Sequence, residues 1–306
     1  MRIGFIGLGH LGRHLAMSLV KAGFDVTVHD LNRAAAAKHL AAGAKWAESP
    51  AALARQVDSV FTCLPSPKAT DAVLSGPNGV LEGLAPGGTW VESSTNDQAE
   101  ILRLAELCEA KGVAVLEAPV TGGVHRAAAG QITVLVGGDK AVFEKHRAAL
   151  QAIGGTVFHM GPLGSAAIIK VITNMLAFIH LVAGGEALML ARRGGLDLAQ
   201  AFHAIRASSG NSFVFETEGQ LVLNGSYDIG FTMDLALKDL GFATDFGRRF
   251  GVPLELAGLT EQIFVRGRAA YGGGAWSTMI VKLLEDALKT PLRAVGFPAT
   301  LNPPEE

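Results

Sequence analysis

Cysteine is nearly absent: Cys63 and Cys108 are the only two in 306 residues. Two thiols make no disulfide framework, which excludes the small stapled scaffolds of secreted proteins and leads us to expect a reducing, cytoplasmic setting. Charge is also scarce. Only 18% of residues are charged and the net charge is −2, with no basic cluster. Neither nucleic acid nor an anionic membrane is therefore an expected partner. No internal repeat, low-complexity segment or metal-ligating set stands out. Met1 leads straight into a strand-like run without the basic and apolar regions of a signal peptide, so none is expected. Nor is there an uninterrupted apolar stretch of membrane length. Ala166 to Leu190 is broken by Lys170, Asn174, His180 and Glu186, which reads as a core helix rather than a membrane span.

Glycine and apolar residues, in contrast, are plentiful. With 38 glycines and 49% hydrophobic residues, the chain has the composition of a compact α/β protein with many tight turns. Its length exceeds what one core usually serves, so two domains are expected. Short strand-like runs come at Arg2–Ile6, Asp25–His29, Ser59–Cys63, Thr89–Glu92, Val113–Leu116 and Ile132–Val136. Helix-like stretches separate them, among them Arg33–Ala42, Asp97–Lys111 (capped by Asp97) and Ala141–Ala152. This rhythm predicts parallel βαβ units in a doubly wound sheet. It stops near Val157. Beyond a Gly-Pro-Leu-Gly turn the chain reads as helix: Gly164–Arg193, Leu198–Ala207, Asp234–Phe250, Pro253–Ala270 and Thr278–Lys289, with Asp197 and Ser277 as N-caps. The expected domains are residues 1–163, a Rossmann-type dinucleotide-binding domain, and 164–300, all-helical and carrying substrate and oligomer contacts. A loose tail follows over 301–306.

Gly7, Gly9 and Gly12 form G-x-G-x-x-G between a strand and a helix, the context in which the motif binds a dinucleotide. The first glycine permits the turn, the second lets a pyrophosphate approach, and the third lets helix and strand pack. Leu8, His10 and Leu11 share that turn and belong to the expected cofactor site. Asp30 ends the next strand, with Leu31 after it, where a carboxylate would hold an adenosine ribose. The same carboxylate would repel a 2′-phosphate, which favours NAD. NADP stays possible because Arg33 is close in sequence.

Three further stretches invite chemistry. Glu117–Gly123 places the Thr121 hydroxyl beside Gly122 and Gly123, whose amides suit an oxyanion or equally a plain turn. Lys238 and Asp239 are adjacent on a helix, ordinarily a surface pair. Lys170 and Asn174 lie one helical turn apart in an apolar run. Taken alone, such a lysine more often snorkels to the surface than catalyses.

Together these residues resemble the β-hydroxyacid dehydrogenase family, the group containing 3-hydroxyisobutyrate dehydrogenase and tartronate semialdehyde reductase, over nearly the whole chain. The motifs that carry the likeness are Gly4–Gly9 through Gly12, Cys63-Leu-Pro65, Ser93-Ser-Thr95, Ala118–Gly123, Gly130–Gly138, Lys170 with Asn174, and Phe231–Leu240 (FTMDLALKDL). The resemblance implies that Lys170 is the catalytic lysine and that Asn174 holds substrate and lysine. It also implies that Thr121, Gly122 and Gly123 grip a substrate carboxylate. Leu64, Pro65 and Thr95 would meet the ribose and nicotinamide, and Lys238 would close over the cofactor. Glu117 replaces the usual aspartate, Thr121 the usual serine and Thr173 the first of a frequent Asn-Asn pair. The longer acid and the extra methyl are expected to reshape the substrate pocket.

The implied activity is hydride transfer between a nicotinamide cofactor and a small 3-hydroxy acid or semialdehyde, with Lys170 as general acid/base. Two other readings are an NADPH-dependent semialdehyde or imine reductase and a non-catalytic dinucleotide-binding scaffold. Imine-reducing relatives usually lack the lysine, and a scaffold would be expected to lose Lys170 or Asn174. Both residues are present. The apolar helices of the second half exceed what a small domain buries, so a homodimer or homotetramer through them is expected.

Overall fold

The computed structural model describes residues 1–301, so nearly all of the tail expected over 301–306 lies outside the described residues. The chain divides into two compact units, Met1–Lys170 and a second that begins at Val171. The division falls within the helix read over Gly164–Arg193.

The first unit runs β1 (Arg2–Ile6), α1 (Gly12–Lys21), β2 (Asp25–His29), a 3-10 turn (Arg33–Ala36) into α2 (Ala37–Ala41), β3 (Lys45–Trp46), α3 (Pro50–Ala54), β4 (Ser59–Thr62), α4 (Pro67–Ser75) and β5 (Thr89–Glu92). It continues through α5 (Gln98–Glu109), β6 (Ala114–Glu117), β7 (Val120–Thr121), α6 (Val124–Ala128), β8 (Thr133–Gly138), α7 (Lys140–Ile153), β9 (Thr156–Gly161) and the first turns of α8 (Ser165–Arg193). The strands form one sheet in the order β3-β2-β1-β4-β5-β6-β8-β7, with β9 paired to β8. From β3 to β6 every pairing is parallel. This is the Rossmann-like architecture that the strand rhythm predicts.

Alternation along the central strands buries both faces. Ile3, Phe5, Phe61 and Val91 enter one core cluster. Ile6, Val60 and Trp90, their neighbours along the strands, enter another. A strand covered on both sides needs apolar residues at odd and even positions alike, which is why these runs are short and almost wholly hydrophobic.

Two details depart from the sequence reading. The sheet is not parallel throughout: β8 runs antiparallel to β6 and β7. The strand rhythm also persists past Val157, because β9 pairs in parallel with β8 as far as Gly161. The Pro65–Pro67 stretch does more than halt β4. Ser66 caps α4, accepting from the Ala69 amide, and Pro67 takes the first helical position, where its missing N–H costs nothing.

The second unit holds the rest of α8 with α9 (Leu198–Arg206), α10 (Phe213–Asn224), α11 (Met233–Phe250), α12 (Glu255–Tyr271), a 3-10 turn (Ser277–Val281) and α13 (Lys282–Leu288). Phe178, Leu181 and Leu188 of α8 pack in its core with Phe202, Phe215, Leu240 and Phe264. By length and composition alone α8 could cross a membrane; part of its apolar surface, at Phe178, Leu181 and Leu188, contributes to this core. Asp197 caps α9 as expected. Ser277 does not cap the last helical stretch: the position before it is Trp276, and Ser277 is buried as the first residue of the 3-10 turn. Helix α10, capped by Ser212, falls in a stretch the sequence reading left unassigned.

Candidate active site

β1 ends at Ile6 and the chain turns at Gly7, whose φ is +98°. Only glycine suits this turn. A Cβ there would strike the carbonyl oxygen of Cys63, and one on Gly12 would strike that of Gly7. Gly9 differs. A Cβ on it would meet nothing within 4 Å, so its smallness serves no neighbour in the chain and leaves the backbone open to a ligand.

The turn is held from β2. Asp30 accepts from the Leu8 amide at 2.7 Å and, through its other oxygen, from the Asn32 amide at 2.8 Å. Its carboxylate therefore locks the end of β2 onto the glycine loop and also stands where a ribose would be read. Of the other residues in this loop, Leu8 puts its side chain into the core and Leu11 takes the N-cap position of α1. His10 and Leu31 are exposed.

A buried polar chain supports the loops after β4 and β5. The Trp90 indole donates to Thr62 Oγ1 at 2.9 Å, and the Thr62 hydroxyl donates to Glu92. The Glu92 carboxylate accepts from the Ser94 amide at 2.8 Å, and Ser94 Oγ accepts from the Leu64 amide at 2.7 Å. Leu64, Pro65 and Thr95 thus sit on loops at the carboxyl ends of adjacent parallel strands, beside the Gly7 turn. That end of an open α/β sheet is where ligands bind.

Lys170 and Asn174 are both buried, at 7% and 9% exposure, one turn apart on α8. Burial raises the Cys63 thiol to about 12; the Glu92 carboxylate adds to the rise and the Lys170 ammonium opposes it. The three groups share one neighbourhood, so Lys170 stands at the same end of the sheet as the dinucleotide loops. The snorkelling alternative fails because this lysine is buried.

Within the second unit, Asn174 Nδ2 donates to Asp239 Oδ2 at 2.6 Å, and Lys238 Nζ donates to Asp239 Oδ1 at 2.6 Å. Lys238 also lies 4.9 Å from the centre of the Phe242 ring. The Lys238–Asp239 pair is therefore no surface pair. Asp239 is 1% exposed and orients both the amide on α8 and its neighbouring lysine. Sequence reasoning missed it, although a carboxylate next to a motif lysine was the available signal.

Thr121 pairs with Thr133 in the β7–β8 ladder, and Gly122 and Gly123 carry the turn into α6. Glu117 has a structural task that the sequence does not announce. Its carboxylate accepts from the Ala166 and Ala167 amides at the start of α8, at 2.8 and 2.9 Å.

The family model described as the NAD binding domain of 6-phosphogluconate dehydrogenase matches residues 2–161. That for the NAD-binding region of NADP-dependent 3-hydroxyisobutyrate dehydrogenase matches residues 164–284. The 2-(hydroxymethyl)glutarate dehydrogenase of Eubacterium barkeri is 35% identical over 286 residues, covering 93% of this chain and 95% of that one. The chain belongs to the β-hydroxyacid dehydrogenase family. Among solved structures, 3-hydroxyisobutyrate dehydrogenase from Salmonella typhimurium is similar with a TM-score of 0.86 at 31% identity, covering 92% of this chain and 99% of that one. Psf3 in complex with NADP+ and 2-OPP is similar with a TM-score of 0.85 at 26% identity, again over 92% and 99%.

This β-hydroxyacid dehydrogenase is an NAD(P)-dependent oxidoreductase acting on the hydroxyl group of a hydroxy acid. The residues present fit the cofactor. Gly9 is open where a pyrophosphate would approach, and Asp30 is fixed at the end of β2.

Proposed function

We propose that this enzyme oxidises a small 3-hydroxy acid to its semialdehyde, or reduces the semialdehyde, with Lys170 as general acid/base. The observation that carries the reading is a buried lysine at the dinucleotide end of the sheet, one turn before a buried asparagine. The relatives' names support the substrate class: 2-(hydroxymethyl)glutarate and 3-hydroxyisobutyrate both carry a primary alcohol one carbon away from a carboxylate-bearing carbon.

A bound nicotinamide supplies the hydride acceptor or donor. In oxidation the Lys170 amine takes the hydroxyl proton; in reduction its ammonium returns a proton to the carbonyl oxygen. The Thr121 hydroxyl and the Gly122 and Gly123 amides take the carboxylate. Asn174, its amide held by Asp239, keeps substrate and lysine in register. Gly7–Gly12, Asp30, Leu31, Leu64, Pro65, Thr95 and Lys238 hold the cofactor. NAD is the preferred form. Asp30 would repel a 2′-phosphate, and Arg33 is engaged elsewhere, 3.0 Å from Glu48 and over the Trp46 ring. With both cysteines free thiols, a reducing cytoplasm suits the chain.

Lys170→Ala tests the assignment. Turnover of hydroxy acids should fall by about 10²–10⁴-fold, the usual contribution of a positioned acid/base, while cofactor affinity by fluorescence titration stays near wild type. Unchanged turnover would remove Lys170 from the mechanism.

A further inference from the structure

We propose that Glu117 is a positioning residue for the reaction: from the end of β6 its carboxylate caps the first turn of α8 and so sets the place of Lys170. This rests on the reading that Lys170 moves the proton.

The first amides of a helix have no partner within it, and a side chain usually satisfies them from the residue just before. Here the cap comes from 49 residues upstream. One Glu117 oxygen accepts from the Ala166 amide at 2.8 Å and the other from the Ala167 amide at 2.9 Å, a separation of 49 and 50 residues. Glu117 is 1% exposed. Its backbone is paired on both sides, to Glu92 of β5 and to Gly137 of β8, so the carboxylate projects from a residue held between two strands. Gly137 makes room for it: a Cβ there would strike Glu117 Oε1. Ala166 and Lys170 are four residues apart, on one face of the helix. A carboxylate that pins the Ala166 and Ala167 amides therefore fixes the rise and rotation of the turn that presents the lysine.

Only an ionised carboxylate accepts at both oxygens without a competing proton. Burial pushes Glu117 up to about 6, against the pull of the Ala166, Ala167 and Gly164 amides. Of the residues paired with it in the sheet, Glu92 on β5 is titratable and Gly137 on β8 is not; on the helix it caps, the first charged residue is Lys170. Above that pH the cap is made by both oxygens. Below it, a proton on one oxygen leaves an amide without its acceptor.

The reductive direction gives the clearest test, because there Lys170 must be protonated and falling pH cannot impair it. kcat for semialdehyde reduction at saturating cofactor would be measured from about pH 8 to about pH 5 for wild type and Glu117→Gln. Wild-type kcat should fall on the acid side with its midpoint near the Glu117 pKa. Glu117→Gln, which presents an amide donor to a backbone donor, should be about tenfold or more slower at the high end, the scale of a small misplacement at a reacting centre. It should lack the acid-side fall, so that the two curves converge, with cofactor affinity unchanged. Parallel curves at a constant ratio, as a purely structural role would give, overturn the proposal. Should the variant fail to fold, the wild-type profile decides: a fall through that midpoint supports the cap and a flat profile overturns it. Lys170→Ala is run alongside. If it keeps turnover, the acid/base reading and this one fall together; if it loses turnover while the other curves run parallel, only the Glu117 assignment fails.

Discussion

Asp30 illustrates how one side chain serves both the fold and the site. Its two oxygens anchor the Leu8 and Asn32 amides, so the turn interpretation and the ribose interpretation of this residue describe the same carboxylate. The two jobs separate experimentally. Asp30→Ala removes the charge that opposes a 2′-phosphate, and the ratio of kcat/KM with NADP to that with NAD should rise by about tenfold, equivalent to ~1.4 kcal/mol. Steady-state assays with both cofactors check this, and an unchanged ratio would place cofactor choice elsewhere. Asp239 teaches the complementary lesson. Beside Lys238 in sequence it reads as half of a surface ion pair. Only its burial and its bond to Asn174 show what it orients.

Elements with their own punctuation were legible from the chain: β1, β2 and β5 alternate or run apolar between turn residues, and Asp97 and Asp197 cap their helices. What escaped has short or non-local causes. β3 is two residues long and exists only by pairing with β2. β8 reads as another parallel strand because direction leaves no mark on a five-residue apolar run. The glycine turn between β1 and α1 allows a sharper test, since its glycines have different reasons. Gly12→Ala should destabilise by about 1–3 kcal/mol through overpacking against the Gly7 carbonyl. Gly9→Ala meets open space; its stability should stay within about 0.5 kcal/mol of wild type, while cofactor affinity falls. Urea unfolding and cofactor titration of both variants distinguish them, and equal destabilisation would refute the division of roles.

At the scale of the molecule, several large apolar side chains on the helices of the second unit are exposed. Leu190, Leu256 and Leu259 are exposed at 76%, 64% and 62%, and α8 and α12 also expose Leu176 and Val265; apolar residues so exposed on neighbouring turns, as Leu256 and Leu259 are, suit an interface. We propose that these helices join copies of the chain into a homodimer or homotetramer. Light scattering at micromolar protein should give a mass at least twice that of the chain, and Leu256→Lys with Leu259→Lys should lower it. A monomeric wild type would contradict the proposal.

The glycine motif after β1, the change from strand rhythm to helix and the lysine–asparagine spacing were legible in the sequence alone, because each depends on residues close together in the chain: a strand, a glycine turn and a helix, or two side chains one turn apart. Whether that lysine is buried, which carboxylate holds its partner amide and which one caps its helix were decided by tertiary structure. Glu117 reaches α8 across 49 residues and Asp239 reaches Asn174 across 65. Contacts that span such distances are made by the packing of whole elements, and no local pattern encodes them.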